Sequence, residues 1–237
     1  MSRRGGGPAS GFVWVEAVPG RPLPPLDEDL AGWEIEKKRA SHWNARRSEA
    51  GAVLFLKCFF HGPFARPAMR EWRAARRIEA LGIPTVVPVG WGTHRRGSFI
   101  VLEGSPGFPA SAWRAHGLPP HRLDALAELF ASHVARLHDA GLCHKDLNVY
   151  HVLVDGQGLR LIDVGRVASF HRRRWIVKDL ASLLASASRE GIPHSTARRF
   201  LRRYLAATRR VWSRRRLLRA VREKAEVYRR HNEKRGS

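Results

Sequence analysis

The chain has 237 residues and is 43% hydrophobic, with eight Trp and ten Phe, so it is long enough to bury a sizeable core. The longest apolar stretches fall short of the ~20 residues of a membrane-spanning helix, and the first 25 residues lack the apolar core of a secretory signal. The formal net charge of +22 makes the protein strongly basic and favours phosphate-rich partners. Arg-rich helix faces exposed to solvent would produce the same excess of positive charge.

The N-terminal half is predicted to be rich in strands. Residues 1–10 are small, polar and basic, and we expect them to be disordered. Strand-like runs occupy residues 12–16, 33–57 (a strand, a turn and a second strand), 86–91 and 98–103. Between them, the i, i+4, i+7 spacing of Glu71, Ala75 and Ile78 predicts a helix over 68–81 with one shared face.

The C-terminal half is predicted to be mainly helical. Residues 104–120 are rich in Gly and Pro and are expected to connect two lobes. Helices are expected over 121–140, from about 175 to 188, and as one or two basic helices from 196 onwards. A hairpin is expected over 152–162.

A motif follows the first of these helices. Residues 144–151 read His-Lys-Asp-Leu-Asn-Val-Tyr-His, and residues 163–165, after the hairpin, read Asp-Val-Gly. Together they look like the catalytic loop (H-R-D-x-x-x-x-N) and the metal-binding loop (D-F-G) of a protein-kinase-like phosphotransferase. Lys145 stands where Arg is usual, Val164 where Phe is usual, and His151 where the metal-binding Asn is usual.

The element order and the motif together predict a two-lobed, protein-kinase-like fold of the α+β class. Its small strand-rich N-lobe would comprise residues 11–103, and its helical C-lobe residues 104–237, including the basic C-terminal helices. The absence of a Walker A sequence excludes a P-loop enzyme. No glycine-rich phosphate loop occurs between residues 33 and 51, where Arg46 or Arg47 is a candidate for the phosphate contact.

Four residues are predicted to form the catalytic set. Phosphoryl transfer requires positioned groups and positive charge beside the phosphates. Asp146 is expected to accept or orient the proton of the acceptor hydroxyl, and His144 belongs to the same motif. Lys57 is expected to reach the nucleotide phosphates, with Glu71 as its ion-pair partner. Taken singly, a strand-end lysine or a helix glutamate is more often a solvated residue, and Glu79 competes with Glu71 for the same role.

A nucleotide and metal site is predicted from four residues. Asp163 is expected to hold Mg²⁺ against the phosphates of ATP, although an Asp after an apolar strand also caps turns. His151 lies five positions after Asp146, where it is a candidate for a weaker metal ligand, a phosphate contact or a brace of the loop, because Mg²⁺ prefers oxygen ligands. Glu103, at the end of a predicted strand, completes the nucleotide-binding set with Lys57.

Three details indicate which family of kinases the chain resembles. They are His at position 151, the segment 175–183 soon after the metal loop, and the segment 71–85 before a Val-Pro-Val-Gly strand. The chain resembles the bacterial lipopolysaccharide kinase family from about residue 52 to residue 188, and most specifically over 143–183. The resemblance implies phosphorylation of a heptose or Kdo sugar of the lipopolysaccharide inner core, with ATP and Mg²⁺.

The resemblance also implies individual roles. Asp146 would be the catalytic base, Asp163 the metal ligand and Lys57 the lysine that contacts the nucleotide phosphates. Asp179 would brace the catalytic loop from a helix, and Arg166 has a basic counterpart in the family. The interval between Asp163 and Asp179 lacks the Ala-Pro-Glu end of a protein-kinase activation segment, which favours a sugar or small acceptor and activity without phosphorylation of that segment.

The expected partners follow from charge and resemblance. Residues 197–237 contain sixteen Lys or Arg and three Asp or Glu. We expect residues 198–230 to contact the anionic inner-membrane surface where a glycolipid or sugar acceptor lies, which makes the protein cytoplasmic and peripheral to that membrane. Cys58 and Cys143 match no zinc spacing, and reduced thiols fit the same compartment.

Two other classes of function stay open at this stage. One is a kinase-fold enzyme for protein or small-metabolite substrates. The other is a non-catalytic pseudokinase or nucleic-acid-binding scaffold, which the net charge of +22 and the missing glycine loop would suit. The joint presence of Lys57, Glu71, Asp146 and Asp163 argues against a scaffold, which has no need of all four. No oligomeric state is predicted.

Overall fold

The chain folds into two compact units. A computed structural model describes residues 11–27, 29–49, 51–60, 67–156, 158–170, 172–210 and 213–236. The expected disorder of residues 1–10 lies outside these ranges. The strand-rich unit comprises Met1–Arg76 and Val86–Ser105, and the helical unit comprises Arg77–Thr85 and Pro106–Ser237.

Six strands form the antiparallel sheet of the strand-rich unit, counted over the described residues. They are β1 (Phe12–Ala17), β2 (Glu34–Lys38), β3 (His42–Glu49), β4 (Ala52–Phe60), β5 (Val87–His94) and β6 (Gly97–Glu103), in the spatial order β1-β5-β6-β4-β3-β2. Helix α1 (Pro67–Ala80) follows β4. In the register of the sheet, Lys57 of β4 lies opposite Asn44 of β3 and Ile100 of β6, so it is held in the interior of the sheet.

Two strands occupy the region in which a single first strand was predicted. The predicted strand between residue 33 and the turn before β4 is divided into β2 and β3, which pair with each other. The prediction was wrong because the dividing turn, Arg39-Ala40-Ser41, contains none of the Gly, Pro, Asn or Asp residues that mark most turns. A backbone hydrogen bond closes this turn, with the N–H of Arg39 donating to the carbonyl oxygen of His42 (2.9 Å).

The alternation of β4 directs Lys57 towards α1. Leu56 and Cys58 are each 1% exposed and belong to one apolar cluster of the sheet, with Phe99 and Val101 of β6. Successive side chains of a strand point to opposite faces, so Lys57 projects from the other face. There a second cluster packs Trp72 of α1 against residues of β5 and β6. The predicted inward face of α1 is confirmed, since Glu71, Ala75 and Ile78 are at most 2% exposed.

Four helices and five short strands form the helical unit, as far as it is described. The helices are α2 (Pro120–Asp139), α3 (Arg173–Arg189), α4 (His194–Ala207) and α5 (Arg214–Gly236). The strands are β7 (Phe108–Pro109), β8 (Leu142–Cys143), β9 (Val152–Asp155), β10 (Gly158–Leu161) and β11 (Ala168–Ser169). The helices predicted over 121–140 and 175–188 and the β9–β10 hairpin are therefore confirmed, and the basic C-terminal region forms two helices.

The core of the helical unit follows the 3.6-residue period of α2. The predicted apolar positions of this helix are all buried, at 1–8% exposure: Leu123, Leu126, Phe130, Val134 and Leu137. Helix α2 packs against α4, and α3 packs against α5. No helix in the described ranges has the length and apolar character needed to cross a membrane.

Candidate active site

Short strands hold the two loops of the motif in register. Strand β8 ends at Cys143, directly before the catalytic loop, and pairs with β11, which follows the metal loop; Cys143 lies opposite Ala168. The β9–β10 hairpin joins the loops at their other ends, where the N–H of Ile162 donates to the carbonyl oxygen of His151 (2.9 Å). Asp146 and Asp163 therefore lie on loops that are anchored on both sides.

Asp179 of α3 braces the catalytic loop, as the resemblance implies. Its carboxylate is fully buried and accepts the backbone N–H of His144 (2.6 Å) and that of Lys145 (2.8 Å). Lys145 has a φ of +68°, a conformation that costs a non-glycine residue about 1–3 kcal/mol. Hydrogen bonds to a buried carboxylate are strong enough to offset this strain, so Asp179 selects the conformation of the loop that presents Asp146.

The carboxylate of Asp146 faces solvent beside Arg166. Nη1 of Arg166 lies 3.3 Å from Oδ2 of Asp146, and the Asp146 side chain is 38% exposed. Behind it, the Nδ2 group of Asn148 donates to the carbonyl oxygen of Asp146 (3.0 Å), while Oδ1 of Asn148 accepts the N–H of Tyr150 (3.0 Å). Asn148 is thus a support of the loop and caps the 3₁₀ turn that carries His151.

His151 and Asp163 form a pair that fits a divalent cation. Nδ1 of His151 lies 2.9 Å from the carbonyl oxygen of Asp146 and 3.1 Å from Nδ2 of Asn148. The carbonyl oxygen accepts a hydrogen bond from the ring when Nδ1 is protonated, and in that tautomer Nε2 presents its lone pair 3.4 Å from Oδ2 of Asp163. Two neighbouring ligands of one Mg²⁺ lie about 3 Å apart at metal–ligand distances near 2.1 Å. Fixing one ring nitrogen by a backbone carbonyl is also how metal-binding histidines are oriented.

Strain marks Asp163 as well. It adopts the left-handed conformation (φ +54°, ψ +49°), which is uncommon for a residue with a side chain. The preceding residue, Ile162, is held by its backbone N–H and by Nε2 of His144, which lies 3.3 Å from its carbonyl oxygen. Asp163 is therefore the second residue of the motif in the left-handed conformation, and, as at Lys145, hydrogen bonds of the surrounding residues hold the backbone there in place.

His144 lies behind the loop rather than at its surface. The side chain is fully buried, and its ring stacks on that of His151 with the ring centroids 5.8 Å apart. Burial lowers the pKa of the His144 imidazole, and the nearby His151 lowers it further, whereas the charge of Asp179 opposes the shift. The geometry of His144 is therefore that of a residue that positions the metal loop and His151 through contacts within the protein.

The strand-rich unit holds the other predicted pair. Nζ of Lys57 lies 2.7 Å from Oε1 of Glu71, and the two side chains are 19% and 2% exposed. Glu79, the competing candidate, is exposed. Glu71 is thus the partner of Lys57, as predicted, and its carboxylate is almost completely buried.

The remaining predicted nucleotide contacts have partners within the same unit. Glu103 ends β6 and forms an ion pair with Arg21. The guanidinium of Arg46 lies 2.8 Å from a carboxylate oxygen of Glu34, whose hydrogen bond raises the pKa of Arg46. Arg47 lies 3.4 Å from a glutamate of its own strand. Both arginines suggested for phosphate contact are therefore already paired with carboxylates.

Three residues of the helical unit escaped the sequence analysis. His138 of α2 donates from Nε2 to Oδ2 of Asp179 (3.4 Å) and accepts the hydroxyl of Tyr204 of α4 at Nδ1 (2.9 Å). Tyr228 of α5 lies near the catalytic loop, where burial raises the pKa of its hydroxyl and the charges of Asp179 and Asp146 raise it further. The one signal in the sequence was His138, a polar residue on the buried face of α2, and the sequence does not indicate which residues it contacts.

Both cysteines are free and buried. Burial raises the pKa of the Cys58 thiol to about 12 and that of the Cys143 thiol to about 12, with Asp179 adding to the shift at Cys143. The predicted position of Cys58 in the core is confirmed, and Cys143 is buried directly before the catalytic loop.

The chain is similar to known lipopolysaccharide kinases. The model of the lipopolysaccharide kinase (Kdo/WaaP) family matches residues 55–204. The lipopolysaccharide core heptose(I) kinase WaaP of Pseudomonas aeruginosa PAO1 is 34% identical over 157 residues, which cover 58% of this chain and 59% of that protein. The 3-deoxy-D-manno-octulosonic acid kinase of Xylella fastidiosa M12 is 28% identical over 191 residues, or 73% of each chain. The match to the Pseudomonas protein thus spans less than two thirds of its length.

A solved structure supports the fold. The type VIII aminoglycoside-3'-phosphotransferase aligns with a TM-score of 0.59 and 22% identity over 81% of this chain and 94% of that chain. At this identity the likeness concerns the fold alone. The predicted fold class, a protein-kinase-like arrangement of a strand-rich N-terminal part and a helical C-terminal part, is confirmed.

Proposed function

This chain belongs to the lipopolysaccharide kinase (Kdo/WaaP) family, and from that premise we propose that it transfers the γ-phosphoryl group of ATP to a sugar hydroxyl of the lipopolysaccharide core. Relatives named as kinases of a core heptose and of 3-deoxy-D-manno-octulosonic acid support a sugar acceptor. The observation that carries the proposal is the braced, solvent-facing carboxylate of Asp146 on a loop that also orients the His151–Asp163 pair.

Asp146 would handle the proton of the acceptor. Arg166 occupies the Oδ2 side of the carboxylate, and Oδ1 has no hydrogen bond among the described residues. Oδ1 can therefore accept the hydroxyl proton as the sugar oxygen bonds to the γ-phosphorus and the β–γ bridging oxygen leaves with ADP. The 38% exposure of the side chain leaves room for a sugar to approach.

Asp163 and His151 would hold Mg²⁺, which when bound offsets the negative charge of the nucleotide phosphates. In the strand-rich unit, Lys57 would supply the corresponding cation from the protein, with its ammonium group oriented by Glu71. Asp179 and His144 would act indirectly, by holding the two loops in the strained conformations that their roles require.

The place of action is proposed to be the cytoplasmic face of the inner membrane. The support is the excess of basic residues on α4 and α5, which suits an anionic lipid surface. A core glycolipid acceptor would present its sugar at such a surface.

The experiment that tests the proposed function is transfer from γ-labelled ATP to purified core glycolipid. Asp146→Asn keeps the shape of the side chain and removes the base, so we expect the rate to fall by about 10²–10⁴. Asp29→Asn, at an exposed aspartate of the strand-rich unit, is the matched control and should keep full activity. Equal transfer by Asp146→Asn would refute the assignment of the base, and DNA binding without any transfer would favour a scaffold.

A further inference from the structure

A cluster of cations surrounds an aromatic pair next to the catalytic loop. The rings of Phe170 and Trp175 stack with their centroids 4.6 Å apart. Nζ of Lys145 lies 4.3 Å from the centroid of Phe170 and 5.6 Å from that of Trp175. The guanidinium of Arg174 and the ammonium of Lys178 lie 5.3 Å and 5.4 Å from the centroid of Trp175. We call these five residues the cationic platform.

The three cationic side chains of the cationic platform have no ion-pair partner in the described part of the chain. Lys145, Arg174 and Lys178 have no carboxylate within ion-pair distance there, although Lys145 and Lys178 are partly buried. The first turn of α3 contains no acidic residue and begins with one further arginine, Arg173. The aromatic faces offset only part of the lost hydration, so the cluster has unused capacity for an anion.

The segment of the chain next to the cationic platform has few groups that could supply this anion. In protein kinases regulated by an activation segment, a phosphorylated residue of that segment supplies such an anion. Here Ser169 is the one hydroxyl-bearing residue between positions 164 and 172, and its hydroxyl already accepts a hydrogen bond from Arg77 (3.0 Å). An anion at the cationic platform would therefore come from a ligand.

The position of the cationic platform points to the acceptor as that ligand. Lys145 directly precedes Asp146 in the chain, and Arg166, which contacts the Asp146 carboxylate, adds a further cation on the same loop system. An acceptor whose hydroxyl contacts Asp146 would bring the substituents of its sugar close to Lys145. The ring of Phe170 holds the ammonium group of Lys145 in place by a cation–π contact, which lowers the entropy lost when that group binds an oxyanion.

We propose that the cationic platform is a subsite for an oxyanion group, a carboxylate or a phosphate, that the acceptor carries near the phosphorylated hydroxyl. The inference rests on the proposed function and deepens it, because it assigns named residues of this chain to the recognition of an acidic group of the acceptor. Lysine ammonium and arginine guanidinium groups give the charge-assisted hydrogen bonds that such oxygens accept.

The first test compares acceptors in a transfer assay. Deacylated, water-soluble core oligosaccharide is used intact, after methyl esterification of its carboxylates, and after enzymatic removal of its phosphates. The wild type should show a KM about tenfold or more higher for one of the two neutralised acceptors, with kcat within about threefold, since a charge-assisted contact of this kind is worth a factor of ten or more. Which treatment raises KM identifies the carboxylate or the phosphate.

Variants locate the effect. Arg174→Gln with Lys178→Gln should raise KM for the intact acceptor to the value of the neutralised one, and should leave KM for the neutralised acceptor unchanged. Arg73→Gln with Arg122→Gln, at exposed arginines without a described partner, removes the same charge elsewhere and should behave as the wild type. If Arg174→Gln with Lys178→Gln raises KM equally for all three acceptors, or leaves KM unchanged for all three, the proposal is overturned.

A binding measurement separates this proposal from the proposed function. Calorimetric titration with methyl phosphate and with acetate, at constant ionic strength and saturating Mg·ADP, requires no transfer. If no core acceptor is phosphorylated but one of these anions binds the wild type and not Arg174→Gln with Lys178→Gln, the oxyanion site stands while the proposed function fails. Absence of binding by both anions, together with indifference to acceptor charge, would refute the oxyanion site.

Discussion

The two ring nitrogens of His151 have different partners, and this decides what the residue can do. Nδ1 is engaged by the carbonyl oxygen of Asp146, so Nε2 is left to face Asp163. An imidazole nitrogen is a softer ligand than the amide oxygen of the Asn that protein kinases have at this position. As a ligand in the proposed metal site, His151 would therefore give that site a weaker preference for Mg²⁺ over transition metals.

His151→Asn should increase the preference for Mg²⁺. The substitution replaces a nitrogen ligand by an oxygen, so we expect a lower apparent Kd for Mg²⁺ in the presence of ADP and a smaller ratio of Mn²⁺ to Mg²⁺ affinity. Competition against Mn²⁺, followed by the loss of its free electron paramagnetic resonance signal, measures both. An unchanged ratio would show that His151 does not contact the metal.

The Lys57–Glu71 pair is expected to contribute both to the stability of the protein and to its activity. Glu71 is 2% exposed and has Lys57 within 2.7 Å, so loss of the lysine would leave a buried carboxylate without that partner. Breaking such a pair costs about 3–5 kcal/mol, whereas replacing both partners by apolar residues is often close to neutral.

Lys57→Met should therefore lower the unfolding free energy by about 3–5 kcal/mol, and Lys57→Met with Glu71→Leu should recover most of it. Both proteins should be inactive, because neither retains the cation predicted for the nucleotide phosphates. Urea denaturation gives the stabilities and the transfer assay the activities. A double variant as unstable as the single one would mean that the pair is not the source of the effect.

At the scale of elements, three helices meet at one buried carboxylate. Asp179 of α3 holds the catalytic loop, His138 of α2 donates to Asp179, and Tyr204 of α4 donates to His138. Arg210, after α4, donates to the carbonyl oxygen of His138 (2.7 Å). The conformation of the loop is thus coupled to the packing of the helices behind it.

Tyr204→Phe should loosen the catalytic loop without creating a cavity. Loss of the hydroxyl leaves Nδ1 of His138 unsatisfied in the core, which costs about 1–3 kcal/mol. We expect faster hydrogen exchange at the amides of His144 and Lys145 and a severalfold lower kcat with little change in KM for ATP. Thr196→Val, which removes another buried hydroxyl of α4, the one that donates to Asp124, is the control. Unchanged exchange at both amides would contradict the coupling.

At the scale of the whole molecule, the arginines of the basic C-terminal helices are of two kinds. Some have internal partners: Arg199 with Asp124 (3.0 Å), Arg203 with Ser132, Arg210 with His138, and Arg229 and Arg230 with Glu226. Others are exposed without an ion pair among the described residues, including Arg198 and Arg202 of α4 and Arg215, Arg219 and Arg222 of α5. The last three share one face of α5 by their spacing, and this face is a candidate for contact with an anionic surface.

Replacing Arg215, Arg219 and Arg222 by Gln should reduce binding to anionic vesicles by about two orders of magnitude, because each basic residue near such a surface contributes about 1 kcal/mol. Flotation with phosphatidylglycerol vesicles measures the loss, and high salt should abolish binding of the wild type. The control removes three exposed arginines elsewhere, at positions 39, 70 and 73. Equal flotation by the two triple variants would show that net charge, not α5, determines binding.

Much of this architecture was predictable because the signals are local. The period of α2, the β9–β10 hairpin and the spacing from His144 to Asp163 each depend on residues close together in the chain. The division of β2 from β3 was missed because its turn contains only the weaker turn-former Ser41 and none of Gly, Pro, Asn or Asp. The links from Tyr204 through His138 to Asp179 were missed because their partners are 41–66 positions apart, and no local pattern pairs them.

The sequence by itself determined the fold class, the order of the elements and the identity of the loop residues, since periodicity and motif spacing are properties of the chain. Only the tertiary structure decided the orientation of those residues. It placed Nε2 of His151 beside Asp163, buried His144, chose Glu71 over Glu79 and gathered Lys145, Arg174 and Lys178 around Trp175. The physical reason is that protonation, burial and charge clustering depend on distances between segments, which exist only after the helices and strands have packed.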